Sequence, residues 1–160
     1  MARVNRKDFL VFGTPDIGEA EINEVVATLR SGWIGTGPRT TGFEEAFRDY
    51  LDVGHAVALN SGTAALHLAL LATGIGPGDE VITTPLTFCA TVNAIIHSGA
   101  TPVLADVDPD TGNLDPEQVV RCITPRTRAI LPVHYAGRLC DVDALCDIAA
   151  RYKLRLLEDC

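Results

Sequence analysis

The segment Ser61-Gly62-Thr63 places two hydroxyl side chains around a glycine, just before a long apolar stretch. A helix that begins here would offer free backbone N–H groups and the positive end of its dipole. Gly62 would let an anion approach the backbone closely, and the Thr63 hydroxyl would add a donor, so the segment suits a phosphate. It also suits an ordinary helix cap, because Asn60 and Ser61 are favoured capping residues. Taken alone, the segment favours the cap.

Two further residues follow short apolar runs and could contact a flat ring. Phe88 stands just past a predicted strand end, where it could stack on a ring or serve as a core aromatic at the start of a helix. Asp159 follows the apolar run 154–157, where a carboxylate is costly unless it is paired. Its partner could be the protonated nitrogen of a pyridine ring or a basic residue elsewhere in the protein. Neither residue alone decides between its two alternatives.

Two other patterns are interpreted as structural. Residues 74–78, Gly-Ile-Gly-Pro-Gly, contain the glycines of a dinucleotide-binding loop, but they follow a helix pattern and precede a strand, the reverse of the required order. His134, Asp141 and Asp143 are of metal-ligating types. However, no second His or Cys lies at ligand spacing, and the aspartates suit the cap of the next helix. We therefore expect no metal site.

Composition narrows the class of protein. The chain has 160 residues, of which 47% are hydrophobic and 21% charged, enough for one sizeable core. Its net charge of −8 argues against a general nucleic-acid binder. No run approaches the ~20 apolar residues of a membrane span, and the N-terminus lacks the apolar region of a signal peptide. The five cysteines, without a Cys-x-x-Cys pair, indicate reduced thiols and a cytoplasmic location.

The elements that must position these residues alternate along most of the chain. Short Val, Ile and Leu runs separated by helical patterns predict an α/β fold, with a mainly parallel sheet flanked by helices on both faces. The predicted strands are 55–59, 80–83, 101–105, 129–133 and 154–157. The predicted helices are 15–31, 41–51, 62–73, 88–98, 116–122 and 142–152. The first two helices precede the alternation and predict an N-terminal helical arm over residues 1–52.

Ligands of such sheets bind at the carboxyl ends of the strands. Four segments of this chain follow predicted strands, namely 60–63, 84–88, 134–137 and 158–159. We therefore expect the hydroxyls of the first segment, Phe88 and Asp159 to meet at one edge of the sheet.

A series of short segments spans nearly the whole chain. These segments are Ser31-Gly-Trp-Ile-Gly-Thr-Gly-Pro38, Asn60-Ser-Gly-Thr-Ala-Ala-Leu-His-Leu-Ala-Leu70, Gly76-Pro-Gly-Asp-Glu-Val-Ile82, Pro85-Leu-Thr-Phe88, Gly99-Ala-Thr-Pro-Val103, Asp106-Val-Asp-Pro-Asp110, Ile123-Thr-Pro-Arg-Thr127, Pro132-Val-His-Tyr-Ala-Gly137 and Glu158-Asp-Cys160. Their order and spacing resemble those of the pyridoxal-phosphate sugar aminotransferases, the DegT/DnrJ/StrS family. The resemblance implies the three-layer fold of type I aminotransferases, with residues 53–160 as an incomplete large domain that lacks the small C-terminal domain.

The resemblance also implies a cofactor site for pyridoxal 5′-phosphate. Gly62 and Thr63, with the backbone of Ala64, would bind its phosphate. Phe88 would stack on the pyridine ring, and Asp159 would pair with the ring nitrogen. All of these residues come from segments that follow predicted strands, as expected of a ligand site in such a sheet.

The implied reaction moves an amino group from an amino acid, expected to be glutamate, to a nucleotide-linked keto-sugar, in a homodimer. Trp33 and the run that contains His134 and Tyr135 are similar to family members that aminate a UDP-linked 4-keto pentose, so these three residues are substrate-binding candidates.

The family carries its cofactor on a lysine within a Ser-x-x-Lys segment, and this chain shows no such match. It has two lysines, Lys7 and Lys153, and neither lies in that motif. Because normal transamination needs this lysine, we expect a truncated chain that is inactive alone, with the catalytic lysine beyond residue 160. Two alternatives stay open: a sugar dehydratase of the same family that lacks the lysine, and a non-catalytic fragment or binding module.

Overall fold

The computed structural model describes residues 13–160, which form two compact units that meet in sequence between residues 58 and 59. The first unit contains helices α1 (Glu19–Ser31) and α2 (Pro38–Leu51). The start of α1 is fixed by Gly18, whose N–H donates to the Glu21 side chain, and its end by Gly32, whose φ of 73° suits a residue without a side chain. Within residues 13–160, no helix has the length and apolar character that a membrane crossing requires.

The second unit carries the predicted alternation of helices and strands. Its helices are α3 (Gly62–Ala72), α4 (Cys89–His97), α5 (Pro116–Cys122) and α6 (Val142–Tyr152), and a short 3₁₀ turn spans Tyr135–Gly137. Its strands are β1 (Glu80–Thr83), β2 (Thr101–Leu104), β3 (Thr127–Leu131) and β4 (Arg155–Leu156). The four strands form one parallel sheet in the order β2-β1-β3-β4, which confirms the predicted class of fold.

The core lies on both faces of this sheet. Neighbouring residues of β1 point to opposite faces, so that Val81 packs with Leu70 of α3 and Ile95 of α4, whereas Ile82 packs with residues of α5 and α6. All four strand residues of β1 are buried. Continuous burial of this kind is typical of a parallel strand between two helical layers, and it explains why the apolar runs in the sequence do not alternate.

One predicted strand is wrong. Residues 55–59 are not a strand, because no neighbouring strand within residues 13–160 pairs with them. The Ala58 N–H donates instead to Glu44 Oε1 at 2.8 Å, and Val57 is exposed. An apolar run becomes a strand only when its backbone groups find a partner. The sequence pattern cannot show whether they do.

Several predicted boundaries also shift. The helix expected over 15–31 begins at Glu19, and the helix expected over 41–51 begins earlier, at Pro38, because proline suits the first position of a helix. The strand expected over 129–133 ends at Leu131, since Pro132 has no N–H for the ladder. The strand expected over 154–157 contracts to the two residues of β4.

The chain continues side by side beyond the ends of β3 and β4. The Asp159 N–H donates to the Pro132 carbonyl at 3.0 Å, and the His134 N–H donates to the Asp159 carbonyl at 3.0 Å. These two bonds hold the backbone of Asp159 next to the segment that follows β3. The backbone of Asp159 therefore has a fixed position at the carboxyl edge of the sheet.

Candidate functional site

The start of α3 combines a helix cap with free donors. Ser61 Oγ accepts from the Ala64 N–H at 3.2 Å, so Ser61 is the N-cap. The N–H groups of Gly62 and Thr63 have no acceptor within residues 13–160. No atom lies within 4 Å of an ideal Cβ on Gly62, so open space faces the helix end there. Gly62 and Thr63 can therefore offer N–H groups to an anion while the cap stays in place.

The position of Ala64 differs from what a phosphate contact requires. Its N–H, expected to contribute to phosphate binding, is used by Ser61 in this structure. A phosphate oxygen would have to share or displace that hydrogen bond. Within residues 13–160, the N–H groups of Gly62 and Thr63 have no acceptor, so they are better candidates for phosphate binding than the Ala64 N–H.

A pocket of about 230 Å³ is lined by both Gly62 and Asp159. Leu66, Leu131 and Leu157 provide apolar walls. A larger pocket of about 720 Å³ lies within the first unit, among residues of α1 and α2, but it contains none of the residues expected to bind the cofactor. The smaller pocket is the better site candidate, because Gly62 at the start of α3 and Asp159 both line it, although Thr63, Ala64 and Phe88 are not among its lining residues.

Asp159 is held by a hydroxyl that the sequence did not point to. Thr91 Oγ1 donates to Asp159 Oδ2 at 2.6 Å, and the hydroxyls of Thr91 and Thr87 lie 2.7 Å apart. Thr91 is fully buried in the first turn of α4. Asp159 Oδ1 has no partner within residues 13–160. A threonine in the first turn of a helix that follows a strand end would have been the only signal for this contact.

Phe88 is the N-cap residue of α4, and its side chain is 79% exposed. It is therefore not a core aromatic in this structure. Its carbonyl accepts from the Thr91 N–H at 3.2 Å. Thr91 thus contacts Phe88 through its backbone and Asp159 through its side chain, so that two of the residues expected to contact the ring are joined by one intermediate residue.

The side chain of His134 is only 6% exposed, and both of its ring nitrogens form hydrogen bonds. Nδ1 accepts from the Cys140 N–H at 3.1 Å, which leaves the ring proton on Nε2, 2.9 Å from Glu158 Oε2. Burial raises the pKa of the Cys140 thiol, which donates to the Val133 carbonyl at 3.2 Å. His134 therefore joins the segment after β3 to the segment after β4.

Tyr135 follows in a loop that Asn113 fixes. The Tyr135 N–H donates to Asn113 Oδ1 at 3.0 Å, and Asn113 Nδ2 donates to the carbonyls of Arg138 and Leu139 at 3.0 and 2.9 Å. Asn113 is buried, and all of these contacts are to backbone. The Tyr135 side chain itself is 42% exposed, so it can reach a ligand.

Trp33 lies in the first unit, in the turn between α1 and α2. Its Nε1 donates to the Thr36 carbonyl at 3.0 Å, and 58% of the residue is exposed. An ideal Cβ on Gly37 would lie 1.9 Å from Trp33 Nε1, so a larger residue at position 37 would displace the indole from this position. The turn therefore holds the indole against its own backbone.

Lys153 does not reach this edge of the sheet. Lys153 ends α6 with a φ of 58° and precedes β4, whereas Asp159 follows it, so the two residues lie at opposite ends of that strand. Lys7 lies outside the described residues.

Comparison with known proteins gives consistent results. The model of the DegT/DnrJ/EryC1/StrS aminotransferase family matches residues 15–160. The spore coat polysaccharide biosynthesis protein SpsC of Bacillus subtilis is 54% identical over 154 residues, which cover 96% of this chain and 40% of SpsC. The chain thus spans about 40% of the length of the curated relatives that it matches.

Solved structures show the same fold. An aminotransferase from Psychrobacter cryohalolentis aligns with a TM-score of 0.87 and 40% identity, over 91% of this chain and 38% of its own. Spr1654 from Streptococcus pneumoniae, solved in a PLP form, aligns with a TM-score of 0.85 and 45% identity, over 92% of this chain and 38% of its own. These likenesses confirm the predicted three-layer fold of type I aminotransferases.

Proposed function

Because the chain belongs to the DegT/DnrJ/EryC1/StrS aminotransferase family, we propose that it is the N-terminal part of a pyridoxal-phosphate-dependent sugar aminotransferase. The reaction moves an amino group from glutamate to a nucleotide-linked keto-sugar. The observation that carries the proposal is the pocket lined by Gly62 and Asp159, where the N–H of Gly62 and Oδ1 of Asp159 have no partner among residues 13–160.

The donor set at this pocket fits the cofactor. A phosphate needs several N–H or O–H donors and room to approach the backbone, and Gly62 and Thr63 supply both. A pyridine nitrogen needs an acidic partner to stay protonated, and Asp159 has one free oxygen. The exposed ring of Phe88 is available for stacking on the pyridine.

When bound, pyridoxal phosphate supplies an electron sink for the carbon next to the transferred amino group. The residues of this chain hold the group in place for that chemistry. Gly62 and Thr63 would bind the phosphate, Phe88 would stack on the ring, and the Asp159 carboxylate would pair with the protonated ring nitrogen.

The proton transfers of the reaction need a base near the reacting carbon. In this family that base is the cofactor-bound lysine, and we assign it to a residue beyond position 160. Residues 1–160 alone would then bind the cofactor weakly and would not turn over. The full-length protein, meaning the complete gene product that carries this chain, would act as a homodimer.

The substrate contacts follow from the residues that remain exposed. Tyr135 and Trp33 present partly exposed aromatic side chains, which could pack against the nucleotide base or the sugar ring. His134, whose two nitrogens are already bonded, would contact a substrate only by giving up one of these bonds. We also propose a division into an N-terminal helical arm, residues 1–52, of which the structure describes 13–52, and the first part of the cofactor-binding domain, residues 53–160.

The test uses the full-length protein with pyridoxal phosphate, glutamate and a panel of keto compounds. The panel contains nucleotide-linked 4-keto sugars, the same sugars without the nucleotide, and simple keto acids. We expect an amino-sugar nucleotide by mass spectrometry, with one 2-oxoglutarate formed for each amine. Loss of water from the sugar without gain of nitrogen would support the dehydratase alternative instead, and no reaction with any keto-sugar would contradict the proposal.

A further inference from the structure

The buried hydroxyl of Thr91 lies between the two residues proposed to contact the ring. Its oxygen is 2.6 Å from Asp159 Oδ2, and its N–H donates to the Phe88 carbonyl. Thr91 has no solvent exposure, so water does not compete for these bonds. Phe88 and Asp159 are far apart in the sequence, and Thr91 of α4 contacts both of them.

The number of hydroxyl protons determines which group donates in each of these hydrogen bonds. A threonine hydroxyl has one proton, and an ionised carboxylate can only accept. Thr91 therefore donates to Asp159, and the Thr87 hydroxyl, 2.7 Å from Thr91, must donate to Thr91. The result is a directed chain from Thr87 through Thr91 to Asp159 Oδ2.

This chain of hydrogen bonds fixes the rotation of the Asp159 carboxylate. Because Oδ2 accepts from Thr91, Oδ1 is the oxygen left for a ligand. The backbone of Asp159 is held by its hydrogen bonds to Pro132 and His134. The Thr91 hydroxyl then restricts the rotation of the Asp159 side chain.

We infer that Thr91 is the positioning residue of the cofactor site: its hydroxyl fixes the rotation of the Asp159 carboxylate, so that Oδ1 is turned towards the ring nitrogen of a pyridoxal phosphate. Thr87 supports it by donating to the Thr91 oxygen. This inference rests on the proposed function, since it assumes that the ring lies in the pocket lined by Asp159.

The test measures binding of pyridoxamine 5′-phosphate to the full-length protein by isothermal titration calorimetry. This probe has no aldehyde and does not react with lysines, so binding reports the non-covalent site. Thr91→Val keeps the shape of threonine and removes the hydroxyl, and we expect the dissociation constant to rise roughly tenfold, as for loss of a hydrogen bond to a charged group. Thr91→Ser, which keeps the hydroxyl, is expected to stay within about twofold of the wild type.

A matched control separates the hydroxyl from general damage to α4. Ser98→Ala removes another buried hydroxyl, which donates to the Ile95 carbonyl at the opposite end of α4, and it should leave the dissociation constant unchanged. In an Asp159→Ala background, Thr91→Val should have no further effect, because the acceptor of the Thr91 hydroxyl is gone. An equal effect of Thr91→Val in both backgrounds would show that Thr91 acts through packing, and would overturn the inference.

The outcomes also separate the inference from the proposed function. If the wild type binds the probe and Thr91→Val binds it equally well, the inference is wrong and the proposed function stands. If the wild type does not bind the probe, the proposed function is wrong and the inference falls with it. Should Thr91→Val fold poorly, the pair Thr91→Ser and Thr87→Val still decides: tight binding by the first and weakened binding by the second support the directed chain, and equal binding by both overturns it.

Discussion

At the scale of single residues, the start of α3 assigns neighbouring groups to different tasks. Ser61 caps the helix by accepting from the Ala64 N–H, and open space lies beside Gly62. The N–H groups of Gly62 and Thr63 have no acceptor within residues 13–160. The two interpretations of this segment that the sequence offered are therefore compatible. A cap satisfies one donor and leaves others available to an anion.

Substitutions of Ser61 and Gly62 should affect different properties, stability in the first case and ligand binding in the second. We expect Ser61→Ala to lower the free energy of unfolding of the full-length protein by about 1 kcal/mol, the usual value of a lost cap. Gly62→Val should leave stability nearly unchanged, because a side chain there meets no atom within 4 Å. It should instead weaken binding of pyridoxamine 5′-phosphate roughly tenfold or more, since the branched side chain fills the approach to the N–H groups.

Urea unfolding followed by circular dichroism measures the first effect, and calorimetric titration measures the second. Gly62→Val that binds the probe like the wild type would contradict a phosphate site at this helix end. Ser61→Ala that unfolds like the wild type would contradict the cap.

At the scale of elements, the edge of the sheet opposite the site is held by an ion pair. Glu80 begins β1, its side chain is 6% exposed, and it accepts from the Thr124 hydroxyl and from the Arg126 guanidinium. These contacts, chiefly the Thr124 hydrogen bond and then Arg126, hold the pKa of Glu80 below its usual value. They tie the start of β1 to the turn that leads into β3.

This shift predicts a dependence of stability on pH. Because the pKa is lower in the folded state, the contribution of Glu80 is fully present above the unfolded value, near ~4.3, and is lost as the pH falls through the folded value. We expect Glu80→Gln to destabilise the full-length protein at pH 7, and the difference from the wild type to shrink below pH ~4. Urea unfolding at a series of pH values checks this. A difference that stays constant down to pH 3 would contradict it.

The loop after β3 depends on a second element, the turn that carries Asn113. The Asn113 side chain forms hydrogen bonds with three backbone groups of that loop. Asn113→Ala should therefore expose the Tyr135 amide to solvent, and its hydrogen exchange measured by mass spectrometry should speed up by at least tenfold. Asn93→Ala, at an exposed position of α4, is the matched control and should change nothing in this loop. Unchanged exchange at Tyr135 in the Asn113 variant would contradict the role of Asn113.

The sequence predicted the elements well where the pattern reflects burial on two faces of a sheet. The runs that became β1 and β2 and the helix between them, α4, have nearly the expected bounds. The prediction was wrong for residues 55–59, because pairing depends on a partner strand and not on the run itself. The contact between Thr91 and Asp159 was also missed, since residues 68 positions apart are joined only by the folded sheet.

At the scale of the whole molecule, the chain spans about 40% of the length of its curated relatives. It nevertheless holds the cap, the free donors and the carboxylate that the proposed cofactor site needs. What the described residues do not provide is a lysine at the carboxyl edge of the sheet, as Lys153 lies at the other end of β4. The proposed enzyme is thus divided: one part of the protein holds the cofactor, and another supplies the base that uses it.

The most direct measurement is a crystal structure of the full-length protein with bound pyridoxamine 5′-phosphate. The account predicts phosphate oxygens within hydrogen-bond distance of the Gly62 and Thr63 N–H groups, and the ring nitrogen facing Asp159 Oδ1, while Thr91 still donates to Oδ2. A phosphate bound away from the start of α3, or a ring nitrogen that does not face Asp159, would contradict it.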